Sequence, residues 1–270
     1  MPGTDLLTPP PKDYLWLHLR ELPYFRGLLR AVEARFYQQL DLPAPTLDVG
    51  CGDGHFATIA FDRPIDMGID PWREPILEAA RRGAYRLLIQ SDGARMPFPD
   101  RYFGSAFSNS VLEHIPHIEA VLQETGRVLQ SGAPFAFCVP NHRFLDSLSI
   151  GAWLDRIHLT SWGDAYRTFF NRIARHQHCD PPEVWQSRLE SAGFRLERWW
   201  HYYSPAAMRV SEWGHYFGLP SLVSRKLTGR WVILPTRWNL ALTERFVRRY
   251  YEESAERVDG VMTFFIARRV

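Results

Sequence analysis

Three glycines at alternate positions, Gly50, Gly52 and Gly54, follow the apolar run Leu47-Asp48-Val49 and lead into His55-Phe56. The run reads as a short buried strand and the glycines as the turn that hands it to a helix. Lacking Cβ, that backbone can take φ > 0 and let a ligand approach closely. A helix N-terminus points N–H groups and positive dipole outward, which suits a carboxylate, a ribose or a phosphate. Three glycines also satisfy a plain tight turn that binds nothing. Asp70 adds weight to the ligand reading. It ends a second apolar run, residues 65–69, and precedes Pro71, a favoured first residue of a helix. An acidic side chain at the end of the second strand of an α/β sheet can accept from both hydroxyls of a ribose. The spacing is G-x-G-x-G rather than the G-x-G-x-x-G of dinucleotide sites. That points away from a nicotinamide and towards an adenosyl ligand without a pyrophosphate.

Histidines are the other groups able to do chemistry. His142 lies just past the fifth predicted strand, and acceptors in open α/β sheets sit over the carboxyl ends of strands, so it is the first candidate for a general base. A surface or capping histidine is the plainer reading. The run His176-Gln177-His178-Cys179-Asp180 carries imidazole and thiolate, both transition-metal ligands. Its spacing matches no zinc pattern, so it is read as a polar loop and no metal is expected.

The elements that must position these residues alternate. Residues 14–40 are helical with a break near Leu22-Pro23; Leu28, Leu29, Val32, Phe36 and Leu40 form the apolar stripe, with Arg30, Glu33 and Arg35 off it. Strands follow at 47–49, 65–69, 85–90, 104–108 and 133–139, with helices at 56–61, 72–82 (capped by Gly83), and from Val111, interrupted at Pro116, to a stop at Gly132. Alternating βα units imply a parallel sheet with right-handed crossovers. A helix beginning at Asp180-Pro181-Pro182-Glu183 leads to a sixth strand at 194–203, and a seventh lies at 261–267. The expected division is a tail and covering helix (1–40), a ligand-binding core (45–140), a cap insertion (141–180), the closing part of the sheet (181–203 and 259–270), and a second insertion (204–258), all within one domain.

Leu47 to Phe56, Gly68 to Pro71, Ser91 to Phe98, Asn109 to Ile115 and Glu124 to Gly132 follow one another as the motifs of the class I S-adenosylmethionine-dependent methyltransferases do. The chain most resembles their type 11 branch, which includes quinone-ring C-methyltransferases, over roughly residues 46–140. The resemblance implies a Rossmann-like seven-stranded sheet, mostly parallel with strand seven antiparallel, with helices on both faces and helical cap insertions. It implies S-adenosylmethionine as cofactor and S-adenosylhomocysteine as product. The Gly50, Gly52 and Gly54 amides would face the methionine part, with Cys51 in the same turn and Asp48 beneath. Asp70, followed by Pro71, would take the ribose hydroxyls. Asp92 would accept from the adenine amino group, with Gly93 and Ala94 bordering the ring, and Asn109 and Ser110 would lie near the methionine carbonyl region. In plainer readings Asp48 only orients the turn, Asp92 caps a helix and Ser110 caps the helix from Val111. His114, in Leu112-Glu113-His114-Ile115, is the second catalytic candidate, though that pattern more often organises the helix turn.

Methyl transfer is an in-line displacement, and positioning can supply up to ~7–11 kcal/mol of it, more than the ~10²–10⁴-fold of one general base. The cofactor site should therefore be legible while the acceptor site need not be. The expected reaction is methyl transfer to oxygen or carbon of a small or medium-sized, partly apolar acceptor of aromatic, quinone or lipid-like character. Two alternatives stay open, a cofactor-binding protein without methyl transfer and a protein methyltransferase. Trp199, Trp200, Tyr202 and Tyr203, with Trp153, Trp162, Phe169 and Phe170, suggest an apolar acceptor pocket under a lid; otherwise they seal the insertion to the sheet. A net charge of +2 argues against nucleic acid, because each neutralised phosphate needs its own Lys or Arg.

Residues 208–249 carry eight basic and two acidic side chains, with Trp238, Leu242, Phe246 and Tyr250 at helical spacing. Such a segment can lie on anionic lipid, so peripheral membrane contact is an expectation beside that of a helix packed on its own domain. Three cysteines, one in the ligand turn and one in a core strand, suit free thiols in a reducing cytosol. No signal peptide or bilayer-spanning run is evident. The expected location is the cytoplasm, with the inner face of a membrane as the peripheral option. Oligomeric state is not encoded in any motif.

Overall fold

The structure, a computed structural model, describes residues 12–270. The tail expected over 1–12 falls outside them except for Lys12. Seven strands form one sheet: β1 (Thr46–Val49), β2 (Ile65–Asp70), β3 (Tyr85–Gln90), β4 (Ser105–Asn109), β5 (Pro134–Pro140), β6 (Phe194–Tyr202) and β7 (Met262–Arg269). Their order is β3-β2-β1-β4-β5-β7-β6, and β7 runs antiparallel to both neighbours while the rest are parallel. This is the Rossmann-like sheet expected. β1, β4 and β5 are buried along their whole length, as strands covered by helices on both faces must be.

Period-two alternation splits the core into two layers. Phe107, Cys138 and Phe264 point to one face, with Phe36 and Tyr37 of α2 (Tyr24–Tyr37) and Phe56 of α3 (His55–Ala60). Phe135, Phe137 and Phe265 point to the other, with Leu122 of α5 (Ile118–Val128) and Trp185 of α8 (Pro182–Ser191). α1 (Tyr14–Leu19) is capped by Asp13, which accepts from the Trp16 amide at 3.1 Å, and α2 begins after Pro23. α4 (Arg73–Arg82) ends at Gly83 with φ +68°, the left-handed cap the sequence announces.

The helical region from Val111 breaks at Pro116 as expected: Leu112–His114 is a 3-10 turn, Pro116 cannot continue it, and α5 starts afresh at Ile118. The insertion at 141–180 is helical, with α6 (Ser149–Arg156) and α7 (Thr160–Ala174). The second insertion is α9 (Pro205–Phe217), α10 (Leu219–Thr228) and α11 (Arg237–Tyr251). One buried carboxylate ties the two insertions together. Glu212 of α9 accepts from the Ser149 amide and hydroxyl, both at 2.6 Å, and from Tyr166 Oη of α7 at 2.7 Å.

Candidate active site

β1 lies between β2 and β4, so the chain leaves the sheet in opposite directions on its two sides. The carboxyl ends of β1 and β4 therefore part, and ligands of open α/β sheets bind in that crevice. A cavity of about 970 Å³ occupies it. Asp48, Gly50, Cys51, Gly52, Asp70, Pro71, Asp92, Gly93, Ala94, Asn109, Ser110 and His114 all line it, as does the exposed indole of Trp72. Gly54 and His142 do not. At Gly54 a Cβ would sit 3.0 Å from the Ala79 methyl and 3.2 Å from the Tyr85 ring, so this glycine allows α3, α4 and β3 to pack closely.

The glycine turn works differently from the three-amide picture. The Gly50 and Cys51 amides both donate to Ile69 O, at 2.9 and 2.8 Å, the Gly54 amide donates to Cys51 O, and the Gly52 amide donates to Asp70 Oδ2 at 3.0 Å. All three glycine amides are spent within the turn and on β2. What the turn offers the cavity is backbone free of side chains. A Cβ on Gly50, at φ +83°, would lie 2.4 Å from a Val111 methyl, whereas Gly52, at φ +53°, has open space where a Cβ would stand.

Three carboxylates surround this turn. Asp70 is buried, and its second oxygen accepts from the Trp72 amide at 2.9 Å, which anchors the entry to α4. Asp92 Oδ1 accepts from the Ala94 amide at 2.9 Å and so shapes the loop after β3. Asp48 is buried beneath the turn and accepts from Tyr85 Oη at 2.6 Å. Burial pushes its carboxyl up to about 7, and the nearby Asp70 charge adds to the rise against the opposing pull of the Tyr85 hydrogen bond. An acid whose folded pKa is raised above its unfolded value stabilises the fold fully below the unfolded pKa, and that contribution is lost as pH climbs to the folded one. Stability should therefore fall between about pH 4 and 7 by about 4 kcal/mol at most on this account. Urea unfolding across that range checks it. Asp48→Asn should flatten the profile, and an unchanged slope in that variant would remove Asp48 as its source.

The opposite wall comes from β4, α2 and the insertions. Asn109 Nδ2 and Ser110 Oγ donate to Glu33 of α2 at 2.8 and 3.2 Å, and Tyr202 Oη donates to the same carboxylate at 2.8 Å. Ser110 holds φ +53°, uncommon for a residue with a Cβ, and Ser110 Oγ is bound to Glu33 instead of capping a helix. Arg26, Arg30, Arg175 and Arg225 enter the same cavity. Arg225 lies 3.5 Å from Glu78, while Arg26, Arg30 and Arg175 form no ion pair among the described residues. The guanidiniums of Arg26 and Arg225 both stand 5.1 Å from the centre of the Trp231 ring.

A side-chain-poor cradle at the switch point, with an acidic residue ending β2 and another after β3, has the shape and acceptors to take a nucleoside and offers no diphosphate grip. Residues 47–137 match the methyltransferase domain family. Over that third of the chain the protein carries a methyltransferase domain. No curated protein sequence matches the chain. Solved structures share its fold at low identity. A SAM-dependent methyltransferase of Thermotoga maritima superposes with TM-score 0.55 at 13% identity over 91% of both chains. Geranyl diphosphate C-methyltransferase of Streptomyces coelicolor gives 0.53 at 14%, over 92% of this chain and 84% of that one. The cyclase SpnF gives 0.52 at 19%, over 88% and 80%, so the fold alone does not name a reaction.

His142 is exposed and edge-on to His201, with ring centres 6.3 Å apart. It follows β5, one strand beyond the switch point, and turns away from the cavity. The expected aromatic pocket is also absent from this cavity. Trp200 stacks on Phe264, Tyr202 is buried in the core, the Tyr203 hydroxyl meets Ser211, and Phe170 packs against Phe144. Trp153, Trp162, Phe169 and Trp199 face solvent. β6 is the sheet edge, three strands from β4, or ~14 Å, and its Tyr202 reaches only Glu33, behind the wall of the crevice.

The polar loop at 176–180 folds against the 3-10 turn: the Gln177 and His178 amides donate to Glu113 O at 2.7 and 3.2 Å. Glu113 is buried, and burial pushes its carboxyl up to about 8. The place of Arg26, Arg30, Trp231 and this loop beside the cradle went unread in the sequence because no local pattern joins them to it.

Proposed function

We propose that the protein transfers the methyl of S-adenosylmethionine to an oxygen or carbon of a small, partly apolar acceptor that carries an anionic group. Gly50, Cys51 and Gly52 would border the methionine part of the cofactor, Asp70 and Pro71 the ribose, and Asp92, Gly93 and Ala94 the adenine. Asn109 and Ser110, fixed by Glu33, would close the side towards the acceptor. The cofactor supplies an electrophilic methyl on a sulfonium. The acceptor's electron pair forms the new bond as the C–S bond breaks, its electrons staying on sulfur, and the acceptor's proton leaves to solvent. Positioning is the main contribution asked of the chain.

The observation that carries the acceptor class is Arg30. It stands in the cavity with Arg26 and Arg175, and none of the three has a carboxylate partner among the described residues. Three guanidiniums, none in an ion pair among the described residues and with Asp53 as the carboxylate whose charge Arg26 and Arg30 feel, attract an anion, and Arg recognises carboxylate or phosphate bidentately. Leu22, Val111 and Ile115 supply the apolar part of the wall. The test is release of adenosylhomocysteine with a panel of small carboxylates and phosphates against their neutral esters. Anionic members should be preferred, and Arg30→Ala should raise their KM while leaving adenosylhomocysteine affinity unchanged. Loss of adenosylhomocysteine affinity in that variant would reassign Arg30 to the cofactor's own carboxylate. No release with any member would favour the binding-protein alternative.

A second part of the reading concerns residues 208–249. No helix among the described residues is long and apolar enough to cross a membrane. α10 and α11 nonetheless turn Leu227, Trp238 and Leu242 outwards, at 79%, 74% and 83% exposure, among Arg230, Arg237, Arg245 and Arg249. We infer that this face lies on anionic lipid, with apolar side chains in the interface and guanidiniums at the headgroups. Co-sedimentation should be strong with phosphatidylserine vesicles, weak with phosphatidylcholine alone, and lost in a Trp238→Glu, Leu242→Glu variant. Equal recovery on both vesicle types would overturn it.

A further inference from the structure

We propose that Glu113, His114 and His176 form a three-ligand site for one divalent transition-metal ion of the Zn²⁺ class, with its open position towards the cavity. One ligand atom from each lies within 4.8 Å of the other two. Tetrahedral Zn²⁺ with bonds of ~2.0–2.2 Å sets ligand atoms ~3.4 Å apart, so the three need to close by about 1 Å on binding.

Each ligand is prepared in a way that a chance cluster would not be. Glu113 is 2% exposed, and its Oε2 has no hydrogen-bond partner among the described residues. A buried carboxylate oxygen without a donor is costly and uncommon, and a bound cation removes that cost. Its other oxygen lies 3.8 Å from His114 Nε2. His114 Nδ1 lies 3.1 Å from Arg175 O. A carbonyl only accepts, so Nδ1 carries the proton and Nε2 presents a lone pair. Metal-bound histidines characteristically donate the second ring N–H to a carbonyl or carboxylate, which fixes tautomer and orientation.

His176 completes the set from a distant part of the chain. Its ring lies beside that of His114, with centres 5.3 Å apart and planes 29° from parallel. The loop that carries it is already held to the 3-10 turn by the Gln177 and His178 amides on Glu113 O, so little chain entropy remains to be lost on binding. Three protein ligands of His₂Glu type leave one coordination position open. His114 lines the cavity, so that position would be filled by water or by an oxygen of the acceptor. This last role rests on the acceptor reading above; metal binding itself does not.

The test is calorimetric titration of the full chain, stripped with chelator, with Zn²⁺ alone and then with Co²⁺ followed by visible absorption. One ion per chain is expected, with micromolar or tighter affinity and the intense absorption of four-coordinate Co²⁺. His176→Ala and Glu113→Gln should each weaken uptake by about 10-fold or more, while Cys179→Ser leaves it unchanged. Adenosylhomocysteine affinity should persist in all three variants, which separates failure of the site from failure of the fold or of the cofactor reading. The wild-type Co²⁺ spectrum tests the site without recourse to any variant. Absence of one-site uptake, only the pale spectrum of the hydrated ion, or uptake that survives both ligand substitutions would overturn the proposal.

Discussion

Replacing Asp70 with alanine is expected to weaken adenosylhomocysteine binding by about 100-fold or more. Hydrogen bonds to a charged group contribute roughly 1.5–3 kcal/mol each, and the ribose hydroxyls alone would bring the loss to about that level. The carboxylate does more than meet a ligand. Its Oδ2 holds the Gly52 amide at 3.0 Å and its Oδ1 holds the Trp72 amide at 2.9 Å, so one side chain fixes both the glycine turn and the start of α4. Without it Gly52, at φ +53° with no neighbour where a Cβ would be, is free to collapse into the space meant for the cofactor. Asp70→Asn separates these contributions. It keeps the shape and one acceptor oxygen, but sets an amide N–H₂ against a donor, so it should lose affinity with a smaller drop in unfolding free energy than alanine causes. Calorimetry with adenosylhomocysteine, paired with urea unfolding, reads both. Affinity within about threefold of wild type in Asp70→Ala would mean that the sugar is gripped elsewhere.

The cradle was legible because its logic is local. A strand, a turn and the next strand end lie within residues 46–70, and the residues that bind them to each other are also those that face the cavity. The sheet was legible for the same reason, since β5 and its neighbours announce double-sided burial through uninterrupted apolar runs. The acceptor wall was not. Arg30, Arg175, Arg225 and Trp231 come from separated segments, and a guanidinium that faces a cavity has the same local pattern as one that faces water. β6 shows the reverse error. Its aromatic residues read as a pocket because sequence gives no strand order, and β7 inserts between β5 and β6 in the sheet. The same limit hid the pairing of His114 with His176, which tertiary folding alone brings together.

Glu33 is the most instructive misreading. It lies off the apolar stripe of α2 and so reads as solvated, yet it is fully buried. α2 is covered on both sides, by the sheet on one and by α9 and α11 on the other, so its polar face has to find partners inside the protein. It finds three donors, Asn109 Nδ2, Ser110 Oγ and Tyr202 Oη. Glu33→Ala is expected to destabilise the fold by roughly 3–5 kcal/mol, the usual cost of removing one member of a buried polar set and leaving the others unpaired. Ser110, at φ +53°, would lose the hydrogen bond that holds it in an unfavourable conformation. The end of β4 should then relax away from the cavity, and cofactor affinity should fall although Glu33 does not line that cavity. A double-mutant cycle between Glu33→Ala and Asn109→Ala, read by urea unfolding, should return a coupling of about 1–2 kcal/mol. Asn109→Ala alone should be milder, because the carboxylate keeps two of its donors. A Glu33→Ala protein as stable as wild type, or strictly additive losses, would show that the network fills space without holding the end of β4 in place.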